Sequence, residues 1–402
     1  MSQAVAIALS RNHDAIAAAL DIDTAQLDRV QAGLYPNPIL SYTLGNIVLG
    51  TANDQMMGVR TGAFGQTVHQ IGISEVIDIW AKRNTRLRAA DRSIEHKKYQ
   101  VQDALREIVY AVRSAFADVL REQSELSLAA ETRARYDETV GLSRKRFAAG
   151  DISDTELKKV ELEGLRYQNA LIDSEMQLDL AREKLAALLA VGSADKLPAL
   201  HASAIPDEKR VPFVVAKLVD EAYAERPDVQ AAKSAKLLSE ATLVQARREA
   251  YPDISVGLTY QHSEFTVSGD NPNSLSLGLS LPIPVFDRNQ ANIGRAQVDI
   301  RRAENDGKRL LIVVQHEVAD AARRALRSDR LLDAFEGGML ERAESSLKVA
   351  EKSYKAGAVS LLELLEAQRT YIEIRSQYLR AMYDYRQAAI DVLHAVGEKG
   401  VK

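Results

Sequence analysis

Two kinds of period alternate along this chain. Leu105, Ile108, Val109, Val112, Phe116, Val119 and Leu120 recur at three- and four-residue steps, which places them on one helical face. Elsewhere the period is two. Leu40, Tyr42 and Leu44 alternate with Ser41, Thr43 and Gly45, and Ile254, Val256, Leu258 and Tyr260 alternate with Ser255, Gly257, Thr259 and Gln261. Leu275, Leu277, Leu279 and Leu281 alternate with Ser276, Gly278 and Ser280, whereas 66–77 is less regular because Glu75 falls where the later hairpin has Leu281. These patterns predict β-hairpins over 38–77 and 253–282 and helices over about 80–148, 153–192, 287–355 and 360–396.

Proline placement agrees. The prolines lie at 36, 38, 198, 206, 212, 227, 252, 272, 282 and 284, so 39–197 and 285–402 are free of them. Proline costs about 3 kcal/mol inside a helix, so long helices are permitted only in those two stretches. The predicted helices break at two similar places. "FAAGDISDTEL" (147–157) and "YKAGAVSLLEL" (354–364) share an aromatic, a glycine, a serine and a glutamate at equal spacing. Gly150 and Gly357 suit a left-handed helix stop, and Ser153–Glu156 and Ser360–Glu363 suit capping boxes that restart the chain in reverse. Gly337 and Gly338 read as a local weakness inside the second long helix.

The two turns are 207 residues apart, and "IGISEVIDIWAKR" (71–83) aligns without gaps on "LGLSLPIPVFDRN" (277–289) at 206. "AGLYPNPILSYTLG" (32–45) matches "REAYPDISVGLTYQ" (248–261) at 216. The chain therefore reads as two copies of one plan, 1–195 and 213–398, joined by a linker over 196–212. Each copy runs helix, hairpin, long helix, turn, helix.

The strand faces suggest a membrane. One face is apolar, the other is small and polar, and each strand approaches the ~10 residues that cross an outer membrane. Tyr35, Trp80, Tyr251 and Phe286 fall at the strand ends that join helices, where a membrane interface collects aromatics. Four strands per chain cannot close a barrel whose smallest members have about eight, but three copies supply twelve. At 1.5 Å per residue the 80–148 helix would be ~100 Å long, which 153–192 (~60 Å) and 228–250 (~35 Å) match when stacked. The expected fold is mainly α with a membrane β-barrel: a trimeric helical tunnel below a 12-stranded barrel.

Composition narrows the function. Of 402 residues, 46% are hydrophobic, 27% charged and only 5% aromatic, which favours long helices over a compact enzyme core. A net charge of −4 gives no basic field for nucleic acid. Cysteine is absent, which removes disulfide and thiolate chemistry. No apolar run reaches the length of a spanning helix, and "MSQAVAIALSRNHDA" is too short and polar for a secretory leader. The histidines at 13, 69, 96, 201, 262, 316 and 394 lack ligand spacing, so neither a metal site nor a cofactor is expected. Met56 and Met57 read as loop surface and "SRKR" (143–146) as a solvated helix end. No nucleophile–base pair or phosphate loop points to an enzyme.

The duplicated plan, the "AGAVSLLELLEAQ" turn and the "YP" strand entries resemble the TolC family of outer-membrane efflux ducts across essentially the whole chain. "LYPNPILSYTLGN" and "LPIPVFDRNQANIGRAQ" are similar to its CzcC-like branch, which serves heavy-metal resistance–nodulation–division (RND) pumps. The resemblance implies a homotrimer in the bacterial outer membrane with a periplasmic tunnel, in contact with outer-membrane lipid, a periplasmic adaptor (membrane fusion) protein and an inner-membrane RND pump. Its cargo would be cations such as cobalt, zinc, cadmium or nickel. It further implies an acidic periplasmic gate at Glu363, Glu366 and Glu156, with Lys159 the first-copy counterpart of Glu366, and adaptor contacts at Gly150, Ser153, Gly357 and Ser360. Capping explains Glu156 and Glu363 equally well. Alternatives are a duct for drugs or for type I secretion, and, more remotely, a soluble coiled-coil scaffold. A periplasmic adaptor would show glycine-rich small-barrel segments, which are not visible.

Overall fold

A computed structural model describes residues 1–47, 49, 64–197, 214–264, 266 and 270–397. Met56, Met57 and His201 lie outside them, as does most of the 196–212 stretch. The helices are α1 (Ser2–Arg11), α2 (His13–Gly33), α3 (Lys82–Ala148), α4 (Asp154–Leu188), α5 (Val215–Glu225), α6 (Pro227–Glu249), α7 (Gln290–Ala334), α8 (Leu340–Lys355) and α9 (Leu361–Val396). The strands are β1 (Ile39–Gly45), β2 (Val68–Ile77), β3 (Ile254–Ser263) and β4 (Asn273–Ser280). The helix expected over 287–355 is in fact two, because Phe335–Met339 form a wide π turn. The helix expected to reach 192 ends at Leu188, with Ala190 in a left-handed conformation.

The chain forms two compact units. One comprises Met1–Asp21, Tyr99–Ala231 and Gly307–Lys402, the other Ile22–Lys98 and Ala232–Asp306.

The first unit is helical, and small residues let its helices approach closely. Ala4 and Ala8 of α1 pack with Val112, Ala115, Phe116, Val119 and Leu120 of α3, Leu185 and Ala186 of α4, and Tyr383 of α9. A second cluster joins Ala222 and Val229 to Val314, Val318, Ala321 and Ala325 of α7 and to Ala388, Val392 and Ala395 of α9. Between α1 and α2, Asn12 leaves the helix at φ −64°, ψ 127°; between α5 and α6, Arg226 does so at φ −64°, ψ 126°. Each then donates to the far end of a return helix: Asn12 Nδ2 to Leu188 O at 2.9 Å, Arg226 Nη1 to Ala395 O at 3.1 Å. One geometry is thus built twice, once with a neutral amide and once with a charge.

That charge is well compensated. Arg226 is almost fully buried and pairs with Asp228 and Glu317, each at 2.7 Å. Arg106 is likewise buried, donates to His394 O at 2.8 Å, and pairs with Asp103 and Glu107. Two guanidiniums therefore serve the last carbonyls of α9, where the helix dipole is negative.

The second unit contains the sheet, antiparallel throughout in the order β1–β2–β3–β4. The central pairing, β2 with β3, joins the two hairpins.

Candidate functional site

Register assigns every strand residue to a face. Directly opposed residues share a side, so Leu40, Ile73, Leu258 and Leu277 form one row across all four strands. Tyr42, Ile71, Tyr260 and Leu275 form the next. The opposite face carries Ser41, Gly72, Thr259 and Ser276, then Thr43, Gln70, Gln261 and Ser274. Gln70 Nε2 donates to Gln261 Oε1 at 3.0 Å. The apolar face is uncovered within the chain: Leu275, Leu277 and Leu279 are 68–73% exposed. Water would penalise such a face heavily, at ~25 cal/mol per Å². Glu75, opposite Val256 near the helix end, places a carboxylate on this face.

The helix end of the sheet is a locked junction. Trp80 stacks on Tyr251 with centroids 4.8 Å apart, and its indole donates to Pro252 O at 2.9 Å. Lys82, nearly buried, pairs with Asp253 at 2.8 Å. Asp78 accepts the backbone N–H groups of Trp80, Lys82 and Arg83. Burial pushes its carboxyl up, but those amides outweigh burial and hold it below the ordinary value. Tyr35 lies 4.7 Å beneath the Arg83 guanidinium, and Phe286 stands 91% exposed. The structure thus joins Trp80 with Tyr251 and leaves Tyr35 and Phe286 on the surface.

The opposite end of the sheet carries a second polar-aromatic rim that sequence reading missed. His69 and His262 oppose each other on β2 and β3. Tyr42 Oη lies 2.8 Å from His69 Nδ1, and Asn273 Oδ1 accepts from His262 Nδ1 at 2.9 Å. The available signal was the alternation itself, since Tyr42 and Tyr260 continue the apolar face toward the hairpin loops. From His69 to Ile77 the strand runs ~26 Å, which a ~40° tilt reduces to ~20 Å, near the ~25 Å apolar band of an outer membrane.

The two helical turns share one construction. Gly150 (φ 84°) donates to Phe147 O and Gly357 (φ 73°) to Tyr354 O. Both capping boxes form: Ser153 Oγ accepts Glu156 N at 3.2 Å, and Ser360 Oγ accepts Glu363 N at 3.3 Å. In return Glu156 accepts Ser153 N at 2.8 Å and Glu363 accepts Ser360 N at 3.3 Å. The Ser153 hydrogen bonds hold the Glu156 carboxyl below its ordinary value. Glu366, one turn further on, is exposed and makes no hydrogen bond or ion pair with the described residues. Gly150, Ser153, Gly357, Ser360 and Lys159 are all exposed. No contact joins Glu156 to Glu363 or Glu366 among the described residues.

An uncovered apolar sheet face rimmed at both ends is the build of a sheet that meets lipid. The Outer membrane efflux protein family matches residues 4–191 and 218–398. The chain belongs to that family. It is an outer-membrane efflux protein, and its family is one of export channels. The cobalt-zinc-cadmium resistance protein CzcC of Cupriavidus metallidurans is 25% identical over 99% of this chain and 90% of its own length. The pyoverdine export outer membrane protein OpmQ of Pseudomonas putida is 24% identical over 99% of this chain and 85% of its own. The crystal structure of CusC, described in terms of transmembrane channel formation, superposes with a TM-score of 0.81 at 19% identity, covering 99% of this chain and 92% of that one. That last likeness is one of fold. Among the described residues no helix is long and apolar enough to cross a membrane.

Proposed function

We propose that three copies of this efflux protein close a 12-stranded barrel above a periplasmic helical tunnel, and that the assembly is the exit duct of a tripartite RND-type pump. The observation that supports this best is the sheet. β1 and β4 are edge strands, each with one free edge among the described residues, beside a wide apolar face. Unpaired edges are not tolerated in lipid, so further copies must complete the ladder. On α4, Leu162, Leu165, Ile172, Met176 and Leu180 are exposed at heptad-like spacing, which suits packing on a neighbouring copy. In this reading the chain comprises two structural repeats, 1–195 and 213–398. The small polar face lines the lumen, and the turns at Gly150–Ser153 and Gly357–Ser360 meet the periplasmic adaptor. Glu366 and Glu363, with Glu156 at the corresponding turn of the first repeat, form the acidic gate.

These 402 residues contain no cysteine, which makes the trimer directly testable. Single cysteines placed along β1 and β4 should crosslink between copies into a trimer in outer membranes. A ladder ending at the dimer, or none at all, overturns the proposal.

The cargo reading follows CzcC: divalent cations such as cobalt, zinc and cadmium. The similar coverage of OpmQ, a pyoverdine export outer membrane protein, supports a pyoverdine-like organic cargo as the second reading. Metal accumulation in cells lacking this chain, with and without its partner pump, decides between them. Raised cobalt, zinc or cadmium supports the first reading; unchanged metal content with retained pyoverdine-like product supports the second.

A further inference from the structure

The rim of the sheet farthest from the helices has no part in the duct as described so far. Leu44, His69, His262 and Asn273 form one row there across the four strands. Spacing along the chain gave the two histidines no partner, but register supplies one. Directly opposed side chains on adjacent antiparallel strands have Cβ atoms about 4.5–5.5 Å apart. That is close to the ~5–6 Å between positions i and i+4 of a helix, the separation at which paired histidines chelate one zinc ion.

Each imidazole is already oriented through its Nδ1. Tyr42 Oη lies 2.8 Å from His69 Nδ1. Asn273 Oδ1 accepts from His262 Nδ1 at 2.9 Å and also from Tyr260 Oη. A neutral ring that donates from Nδ1 keeps its lone pair on Nε2, and a partner on the other ring nitrogen is what fixes a metal-ligating histidine. A phenol oxygen accepts as well as donates, so His69 is free to take the same tautomer.

A third donor stands beside the pair. Glu264 follows the end of β3, where its N–H donates to Thr67 O at 2.9 Å. Its Oε1 is 3.6 Å from His69 Nε2. That is too long for a hydrogen bond, yet near the ~3.3 Å edge of a tetrahedron whose ligands sit ~2.0–2.1 Å from the ion. With the proton on Nδ1, the Nε2 lone pair and the carboxylate face each other, an arrangement that a cation between them relieves. Both side chains are reachable from water, at 37% and 49% exposure. Among the described residues no three ligating groups already converge, so this is an open pair with one carboxylate in reach and water to complete the shell.

We propose that His69 and His262, with Glu264, form a divalent transition-metal site that clamps the first hairpin to the second at this rim. Imidazole donors suit zinc, cobalt or nickel, whereas calcium and magnesium take oxygen ligands. The clamp rests on the sheet alone and not on the duct reading.

Zinc titration by calorimetry tests it, on untagged protein in mild detergent after treatment with a chelator. One zinc per chain should bind at micromolar concentration, and millimolar calcium or magnesium should not compete. Partners outside the ligand shell are typically worth about 10–100-fold in metal affinity, so losing a ligand should cost at least as much. His69→Ala and His262→Ala should each weaken binding at least about tenfold, and His316→Ala on α7 should change nothing. Zinc should raise the melting temperature of the wild type but not of the double variant, since a ligand stabilises only the state that binds it. Should the variants not fold, the wild type still decides. Zinc should shield His69 and His262, and no other histidine, from diethyl pyrocarbonate, read by peptide mass spectrometry. Absence of binding, binding that survives both substitutions, or shielding elsewhere overturns the proposal and leaves adventitious surface contact only. A protein that binds zinc through this pair but conducts nothing refutes the duct reading and leaves the site standing.

Discussion

Trp80 stacks on Tyr251 at 4.8 Å although 171 positions separate them, and this contact ties the end of the first hairpin to the start of the second. Trp80 is the chain's single tryptophan, so its fluorescence reports this junction alone. Trp80→Ala removes a stacked pair and a hydrogen bond to Pro252, and should cost about 2 kcal/mol in denaturant titration of the detergent-solubilised protein. Trp80→Phe keeps a ring and should cost about half that. If the junction sits at the membrane interface, lipids brominated near the headgroup should quench Trp80 more strongly than lipids brominated at the chain end.

The rows across the sheet predict opposite outcomes for neighbouring residues. Leu258→Arg or Leu277→Arg places a charge in the apolar band and should cost about 2–4 kcal/mol. Thr259→Arg or Ser276→Arg, one position along on the polar face, should be tolerated and should lower cation conductance. Equal destabilisation on both faces would mean that neither face meets lipid.

Glu366 and Glu363 should separate by role. The Glu366 side chain has no hydrogen bond or ion pair among the described residues, so Glu366→Ala should weaken divalent-cation block and cation selectivity in a bilayer while leaving stability unchanged. Ser360→Ala strips the cap of α9 and should cost about 1 kcal/mol with little effect on selectivity. Block and selectivity indifferent to Glu366→Ala would place the acidic ring elsewhere.

Acid should loosen the helical unit. Burial pushes Asp228 up, but the hydrogen bonds and charge of Arg226 outweigh it and leave the carboxyl below its ordinary 3.8. The His394 hydrogen bond likewise lowers Glu107 from 4.5. A lowered folded-state value means the contribution is complete above the unfolded value and disappears as pH falls below it. Burial raises Asp103 and Glu125, whose contributions carry the opposite sign and offset part of the loss. Denaturant stability should therefore fall below about pH 4, and Asp228→Asn should flatten that fall while costing about 3 kcal/mol near neutral pH. An unchanged pH profile in Asp228→Asn would show that this pair does not govern it.

Much of the molecule was legible locally. Alternation at 254–260 and 275–281 gave the strands and their faces, because side-chain direction in a strand depends only on neighbouring residues. The layouts at Gly150–Glu156 and Gly357–Glu363 gave both helix reversals, because a left-handed stop and a capping box are complete within about ten residues. What local chemistry could not supply was partnership. Nothing in the alternation of β2 says that it pairs with β3, or that His69 faces His262, since register is a contact between segments remote in sequence. The isolated aspect of Arg226 in sequence hid its role, which arises only where α9 presents its last carbonyls. The paired glycines at 337 and 338 marked a weak point, yet a wide turn rather than a smooth bend formed there. That outcome depended on how α8 and α7 each packed against α9, and packing is a property of the assembled fold.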